Sequence, residues 1–311
     1  MTRRGIFLFL ALGVAWGIPY LFIKIAVEEL EPAMVVLGRS ALAAILLLPL
    51  ALFRKQVIPV LRRWKPLLAY TIIEIVIPWY FLSSAEQRIS SSTAGLLIAA
   101  VPLVGVAVAF FMGRPARLSR SNWLGILIGM LGVAAIVGLD VGGSDIGAVA
   151  EMAIVVVGYA IGPAILSRWM SDLPGVGVVA VSLAGAALIY IPIVLLTGAW
   201  PTAVPSGQVI VSIVVLAVIC SALAFILLVA LIAEAGPVRA TAITYINPAV
   251  AILVGALVLG ERITVWTIVG FALVLAGSYL VTRRSGNLSG KPVVVPDVAA
   301  ASGSNEGATS S

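Results

Sequence analysis

The stretch "TYINPAVAILVGALVLGERIT", residues 244–264, is almost entirely hydrocarbon, yet it carries an Asn-Pro pair near its start and a Glu-Arg pair near its end. Proline has no backbone N–H to give a helix interior and leaves a carbonyl without its partner. The pair therefore marks either a loop between two elements or a membrane helix that is bent. Composition decides between them. Hydrophobic residues make up 62% of the 311-residue chain and charged residues 10%, against about 45–50% and about 25% in soluble domains. A water-soluble core of this length does not use so much apolar surface, so the excess faces lipid. Apolar runs recur from end to end, and the chain reads as a polytopic, all-α membrane protein.

A spanning helix takes about 20 apolar residues. Ten segments qualify, at approximately 5–28, 31–53, 66–87, 91–113, 121–139, 146–168, 174–197, 208–233, 237–259 and 262–282. The start, "MTRRGIFLFLALGVAWG", looks like a signal peptide, but its apolar run continues to about residue 27 and is long enough to span. The end, from residue 284 to 311, is rich in Gly, Ser, Pro and Ala and reads as a disordered tail.

Charge placement orients the bundle. With the N-terminus in the cytoplasm, that side holds Arg3, Arg4, Arg54, Lys55, Arg62, Arg63, Lys65, Arg114, Arg117, Arg120, Arg168, Arg239, Arg283, Arg284 and Lys291, which is 15 of the 19 basic residues. The opposite side keeps Lys24, Arg88 and Arg262, and Arg39 lies inside a helix. This asymmetry follows the positive-inside rule and predicts both termini in the cytoplasm, in an inner or plasma membrane. The net charge of +6 is accounted for in this way and implies no nucleic acid partner.

The chain also repeats itself. "VPLVGVAVAFFMGRPARLSRSNWLGILIGMLGVAAIVG" (101–138) resembles "NPAVAILVGALVLGERITVWTIVGFALVLAGSYLV" (247–281). Pro102 matches Pro248, Gly113 matches Gly260, Gly125 matches Gly270 and Gly132 matches Gly277. "VAWGIP" (14–19) echoes "YAIGP" (159–163). Residues 1–139 and 140–283 thus each hold five helices. Five is odd, so the second repeat enters the membrane upside down relative to the first, a pattern found in secondary transporters.

Two stretches carry a family resemblance. "AWGIPYLFIKIAVEELEPAMVVLGRSALAAILLLPLA" (15–51) and "LIAEAGPVRATAITYINPAVAILVGALVLGERITVWTIVGFALVLAGSYLV" (231–281) resemble the opening and the close of the EamA-type drug/metabolite transporters. Trp16-Gly17, Lys24, Pro32 and Arg39 stand in the familiar places of the first, and Gly236-Pro237, Pro248, Gly260-Glu261-Arg262 and Gly270…Gly277 in those of the second. The first repeat departs where the second reads "GERIT": it has "GRPARLS", with no acidic residue. The resemblance implies a secondary transporter for small organic metabolites, amino acids or related compounds among them.

The candidate pathway follows from depth. Asn247 lies about 15 Å below the cytoplasmic end of its segment and Pro102 about 16 Å below the outer end of its own, at about 1.5 Å per residue. Both are near the middle of a core of about 30 Å. Either paired bends at Pro102 and Pro248 frame a central pathway lined by Asn247, or the prolines are ordinary features of membrane helices and Asn247 ties two helices together. Arg39 and Glu74 are the intramembrane charges, about 6 Å apart along the membrane normal by the same rise. Either Arg39 attracts a substrate carboxylate while Glu74 holds an amine or carries a coupling proton, or the two pair and hold the fold together. Trp16, Tyr20, Trp79, Tyr80, Tyr159 and Tyr245 sit at middle depth, where they line a cavity for an organic substrate or simply pack. Trp16 and Tyr20, and likewise Tyr70 and Glu74, share a helix face at a spacing of four. Lys24 and Glu151, near helix ends, read as snorkelling side chains.

Nothing points to catalysis. The chain has no histidine, one cysteine (Cys220) and no phosphate-binding glycine loop, so no metal, cofactor or ATP hydrolysis is implied. Transport would run on a gradient. The alternatives are proton-coupled efflux of cationic compounds, with Glu74 as carrier, and a non-transporting membrane assembly subunit. The expected partners are a small-molecule substrate, the lipid bilayer and a coupling proton, for a monomer or homodimer.

Overall fold

The structure, a computed structural model, describes residues 2–111, 120–136, 145–236 and 241–282. Among these residues every regular element is a helix. In hydrocarbon each backbone N–H and C=O has to be satisfied within the chain, and helices satisfy them inside one segment. Among the described residues, seven helical stretches are long and apolar enough to cross a membrane: Arg3–Ala26, Pro32–Phe53, Trp64–Glu86, Ser91–Val108, Ile146–Trp169, Gly175–Thr197 and Gly207–Ala235. They overlap seven of the segments expected from sequence. Ser121–Ala135, Ile243–Val258 and Val265–Val281 are shorter apolar helices. The ends expected at 139 and 237, the "GRPARLS" arm and the tail from 284 lie outside the described residues.

The first half comprises α1 (Arg3–Gly17), α2 (Pro19–Ala26), α3 (Pro32–Phe53), α4 (Val57–Leu61), α5 (Trp64–Tyr70), α6 (Ile77–Glu86), α7 (Ser91–Ile98), α8 (Val101–Phe111) and α9 (Arg120–Ala135). The second comprises α10 (Ile146–Trp169), α11 (Gly175–Thr197), α12 (Gly207–Ala217), α13 (Ala224–Ala235), α14 (Asn247–Val258) and α15 (Val265–Thr282). A π-helical turn, Thr71–Val76, joins α5 to α6, and another, Val218–Leu223, joins α12 to α13. A short 3₁₀ turn, Thr241–Tyr245, precedes α14.

Proline sets the breaks. Pro19 opens α2 after the bend at Ile18. Pro102 is the second residue of α8 and Pro248 the second of α14. A proline N–H is not missed in the first turn of a helix, so each break begins a new helix rather than kinking an old one. The break at Ile18 corrects one expectation. Trp16 and Tyr20 do not share a face, because they stand on different helices. Trp16 packs beside Leu12 and Ala224, and Tyr20 beside Ile23, Ala94 and Ala251. Tyr70 packs with Val60 and Ile165, and it stays within electrostatic reach of Glu74 across the π turn.

The halves pack by exchange. α1 and α2 lie on α13 and α12, while α10 lies on α5, α6 and the first π turn. α3 packs on α11, α7 on α14, and α9 on α15. At the α9–α15 crossing the backbones meet. A Cβ on Gly132 would stand 2.7 Å from the carbonyl oxygen of Gly270, and one on Gly125 would stand 2.7 Å from that of Gly277. Helices in lipid gain little from hydrophobic association, so small residues that let backbones meet are what hold such a pair together.

Candidate functional site

The buried polar groups gather where α3, α6, α10 and the two π turns meet. Arg39, on α3, is 6% exposed. Its guanidinium lies 3.7 Å from the centre of the Trp79 indole, a stacking worth about 0.5–2 kcal/mol. Its Nε donates to Ser221 Oγ at 3.0 Å, and Ser221 Oγ donates to the Leu216 carbonyl at 2.8 Å. Tyr20, Tyr159, Cys220 and Glu86 lie within its electrostatic reach. The Tyr190 hydroxyl donates to the Val76 carbonyl at 2.8 Å, which satisfies a backbone oxygen of the first π turn.

Glu74 sits inside that first π turn. Its carboxylate lies over Gly162 on α10, where an added Cβ would meet Oε2 and push it aside. Its Oε2 is buried and has no hydrogen-bond partner among the described residues. Arg39 and Glu74 make no ion pair. The pairing that their common depth suggested is therefore not formed, because the two side chains turn to different neighbours. Tyr159 lies within electrostatic reach of both.

Asn247 and Pro248 stand on the other wall. Pro248 is buried, and Asn247 Oδ1 is buried without a partner among the described residues. The Asn247 backbone carbonyl approaches Gly17. Trp16, beside it on α1, meets Phe225 edge-on at 5.8 Å. Pro102 and Tyr245 are half-buried. Tyr80 is 36% exposed and stacks edge-on with Phe81, so of the six aromatic candidates it alone turns outward. The structure thus brings Arg39, Trp79, Tyr20 and Tyr159 together, sets Glu74 next to them, and places Trp16, Asn247 and Pro248 apart.

Two residues, Ser221 and Glu86, escaped the sequence reading, and two others, Lys24 and Glu261, make contacts it did not foresee. Ser221 holds Arg39. Glu86, at the end of α6, is 0% exposed, and neither carboxylate oxygen has a partner among the described residues. Lys24 does not snorkel: its Nζ donates to the carbonyls of Glu86 at 2.5 Å and Ile89 at 3.0 Å. Glu261, from the "GERIT" motif, accepts from the backbone N–H groups of Ser91 at 2.7 Å and Ser92 at 2.9 Å, and from the Ser92 hydroxyl. It caps α7, where the unsatisfied amides and the helix dipole favour an anion. Lys24 and Glu261 together clasp the turn between α6 and α7.

Ion pairs lie outside the bundle centre. Arg88 bonds Asp145 at 2.9 Å and Glu151 at 2.5 Å, so Glu151 is paired rather than snorkelling. The hydrogen bond from Arg88 holds the Asp145 carboxyl below its ordinary range, helped by the amides of Ala148 and Gly147. Hydrogen bonding from Ser206 does the same to Glu29. Arg63 grips Asp172 with both amines, at 2.8 and 2.7 Å.

Comparison with known proteins agrees with this architecture. A solved structure titled "Crystal structure of protein" superposes with a TM-score of 0.66, at 19% identity, over 91% of this chain and 98% of its own. The chain is 30% identical to the "Uncharacterized inner membrane transporter YedA" of Escherichia coli (strain K12), over 94% of this chain and 95% of that protein. It is 27% identical to an "Uncharacterized transporter" of Archaeoglobus fulgidus, over 86% and 95%. The family model described as "EamA-like transporter family" matches twice, at residues 3–138 and 148–283. With both halves matched, the chain belongs to the EamA-like transporter family of membrane transporters.

Proposed function

We propose that this transporter exports small organic metabolites, amino acids or related compounds, across the cytoplasmic membrane by alternating access. In this reading ten helices span the bilayer. Residues 1–139 and 140–283 form two five-helix repeats of opposite orientation, and both termini face the cytoplasm. The observation that carries it is the pair of helix breaks at Pro102 and Pro248, at matching places in the two halves. Discontinuous helices at repeat-related positions are where secondary transporters build their sites. The exchange packing supports the repeat: the packing of α1 and α2 on α13 and α12 maps onto that of α10 on α6 and α5 when the halves are swapped, and the α3–α11, α7–α14 and α9–α15 pairings map onto themselves. The contacts between ends support the sidedness: Thr2 and Arg4 meet Glu234, and Arg63 meets Asp172, on one face, while Glu29 meets Ser206 and Arg88 meets Asp145 on the other.

Arg39, stacked on Trp79 and flanked by Tyr20 and Tyr159, is the group for a substrate carboxylate. Asn247, Pro102 and Pro248 shape the path, and Trp16 and Tyr245 line it. A second reading, proton-coupled efflux of cationic compounds, is favoured by the unpartnered Oε2 of Glu74, which can hold a proton or an ammonium group in a site closed to bulk water. Growth of an overexpressing strain across a panel of toxic amino acids, their analogues and cationic drugs separates the readings. Resistance to amino acid analogues that Pro248→Ala abolishes is the expected result. Resistance confined to cations and lost with Glu74→Gln would select the second reading, and no change for any compound would contradict both.

A further inference from the structure

On the face assigned to the cytoplasm, α5, α8 and α10 leave a cleft of about 730 Å³. Its depth is hydrocarbon: Ala69, Val108, Ile161 and Ile165. A hollow of about 450 Å³ adjoins it, lined by Arg62, Arg63 and Trp64. Lys65, Pro66 and Trp169 line both, so the two form one groove with a cationic mouth and an apolar floor. Trp64 is 58% exposed and Trp169 45%. Half-exposed tryptophans at one height mark the level of lipid headgroups.

The charges at the mouth are unequal. Arg63 is committed, to Asp172 and to the Trp169 carbonyl at 2.6 Å. Arg62 and Lys65 make no ion pair among the described residues, although Lys65 lies 5.7 Å from the Trp64 ring. A cation pair above an apolar cleft matches a ligand that is anionic at one end and hydrocarbon at the other. A free phosphate would leave the cleft unfilled, and a neutral lipid would leave both cations without a counter-charge.

We propose that this groove holds an anionic glycerophospholipid of the cytoplasmic leaflet, with its phosphate at Arg62 and Lys65 and an acyl chain between Ala69, Val108 and Ile161. Basic pockets between membrane helices on the cytoplasmic side take such headgroups. The leaflet rests on the orientation proposed above; the chemistry of the groove does not. Neither Arg39 nor any of its partners lines the groove, and the site needs no transport substrate.

Native mass spectrometry of the intact protein tests it, after titration with phosphatidylglycerol or phosphatidylcholine of matched chains. The wild type is expected to retain phosphatidylglycerol at clearly lower lipid concentration. Each removed charge should weaken that retention about fivefold, so Arg62→Gln with Lys65→Gln brings it close to the phosphatidylcholine level. Both residues are exposed, so folding is not at stake. Ala69→Phe, which fills the cleft, should weaken retention of both lipids. Equal retention of the two lipids by the wild type, or unchanged retention in the double variant, would overturn the proposal. So would full competition by glycerol phosphate, which would assign the mouth to a soluble anion. Transport measurements do not enter these outcomes, so a failure of the transport reading is recognised separately.

Discussion

Arg39 Nε donates to Ser221 Oγ across 3.0 Å, and Ser221 stands in the second π-helical turn where Glu74 stands in the first. Thr71–Val76 and Val218–Leu223 are both six residues long, and both join the two parts of the third apolar stretch of their half. Such π turns mark functional places in helices and open the backbone ladder there. The two halves have therefore kept the geometry and exchanged the chemistry, with an acid in one turn and a hydroxyl in the other. Arg39 takes the hydroxyl, which leaves the acid free for another task.

If that hydroxyl mainly orients the guanidinium, Ser221→Ala should cost about 0.5–1.5 kcal/mol, the value of one hydrogen bond. Arg39→Ala also loses the Trp79 contact and should lower folded yield further. Arg39→Lys keeps the charge but not the flat surface that stacks. Thermal unfolding of the purified proteins should rank them wild type, Ser221→Ala, Arg39→Lys, Arg39→Ala. Equal stability of Arg39→Ala and wild type would remove Arg39 from the structural framework.

Glu74→Gln should leave insertion and folded yield intact and abolish transport or its pH dependence. Gly162→Ala should do the same from the opposite side, because a methyl group there displaces the Glu74 carboxylate. The check is uptake or resistance as a function of pH, normalised to folded protein. Unchanged pH dependence in both variants would reduce Glu74 to packing.

At the α9–α15 crossing, Gly132→Ala should destabilise by about 1–3 kcal/mol, as overpacking does, because its Cβ would lie 2.7 Å from the Gly270 carbonyl oxygen. Gly105→Ala is the control, since nothing lies within 4 Å of the Cβ it would add. The unfolding temperature in detergent should fall for the first and hold for the second.

Acid should loosen the face where Arg88 meets Asp145. The carboxyl of Asp145, hydrogen-bonded by Arg88, is held below its ordinary range, so the folded protein takes up that proton less readily than the unfolded chain. The stabilisation is present above the ordinary Asp value of about 3.9 and is lost as the pH falls through the lower folded value. The Asp145 side chain is 40% exposed, so solvent screens much of the effect. Unfolding temperature should drop between pH 5 and pH 2 (roughly the window in which such groups titrate), and the drop should be smaller in Asp145→Asn. An identical drop in both proteins would discount the pair.

The breaks at Pro102 and Pro248 were legible because a missing donor is a property of the residue itself; the glycines of the α9–α15 crossing were legible as a repeat, but not as the place where the two halves meet. The partners of the charges were not legible. Depth along the membrane normal set Arg39 level with Glu74, but depth carries no information about direction around the bundle, and Glu74 faces Gly162 on α10. Glu86 stands two residues before Arg88, where a charge reads as interfacial. Its burial comes from packing around α2, whose Lys24 lies 62 residues away. The break at Ile18 was readable in Gly17-Ile18-Pro19, but the unbroken apolar run concealed it. The π turns were not legible as turns: Glu74 marks the first and Ser221 the second, but neither sequence carries a proline or glycine to interrupt its helix.

The central claim is that a water-filled path reaches Asn247 in the middle of the membrane from either side in turn. Labelling of Asn247→Cys in a Cys220→Ser background tests it directly, with a membrane-impermeant maleimide applied to right-side-out and to inside-out vesicles. Maleimides react with the thiolate, which forms in water and not in lipid. The account predicts labelling from both sides, and none for Leu253→Cys, whose side chain is 56% exposed on the outer surface of the bundle. Absence of labelling at position 247 from either side, in protein that reacts fully once unfolded, would contradict it.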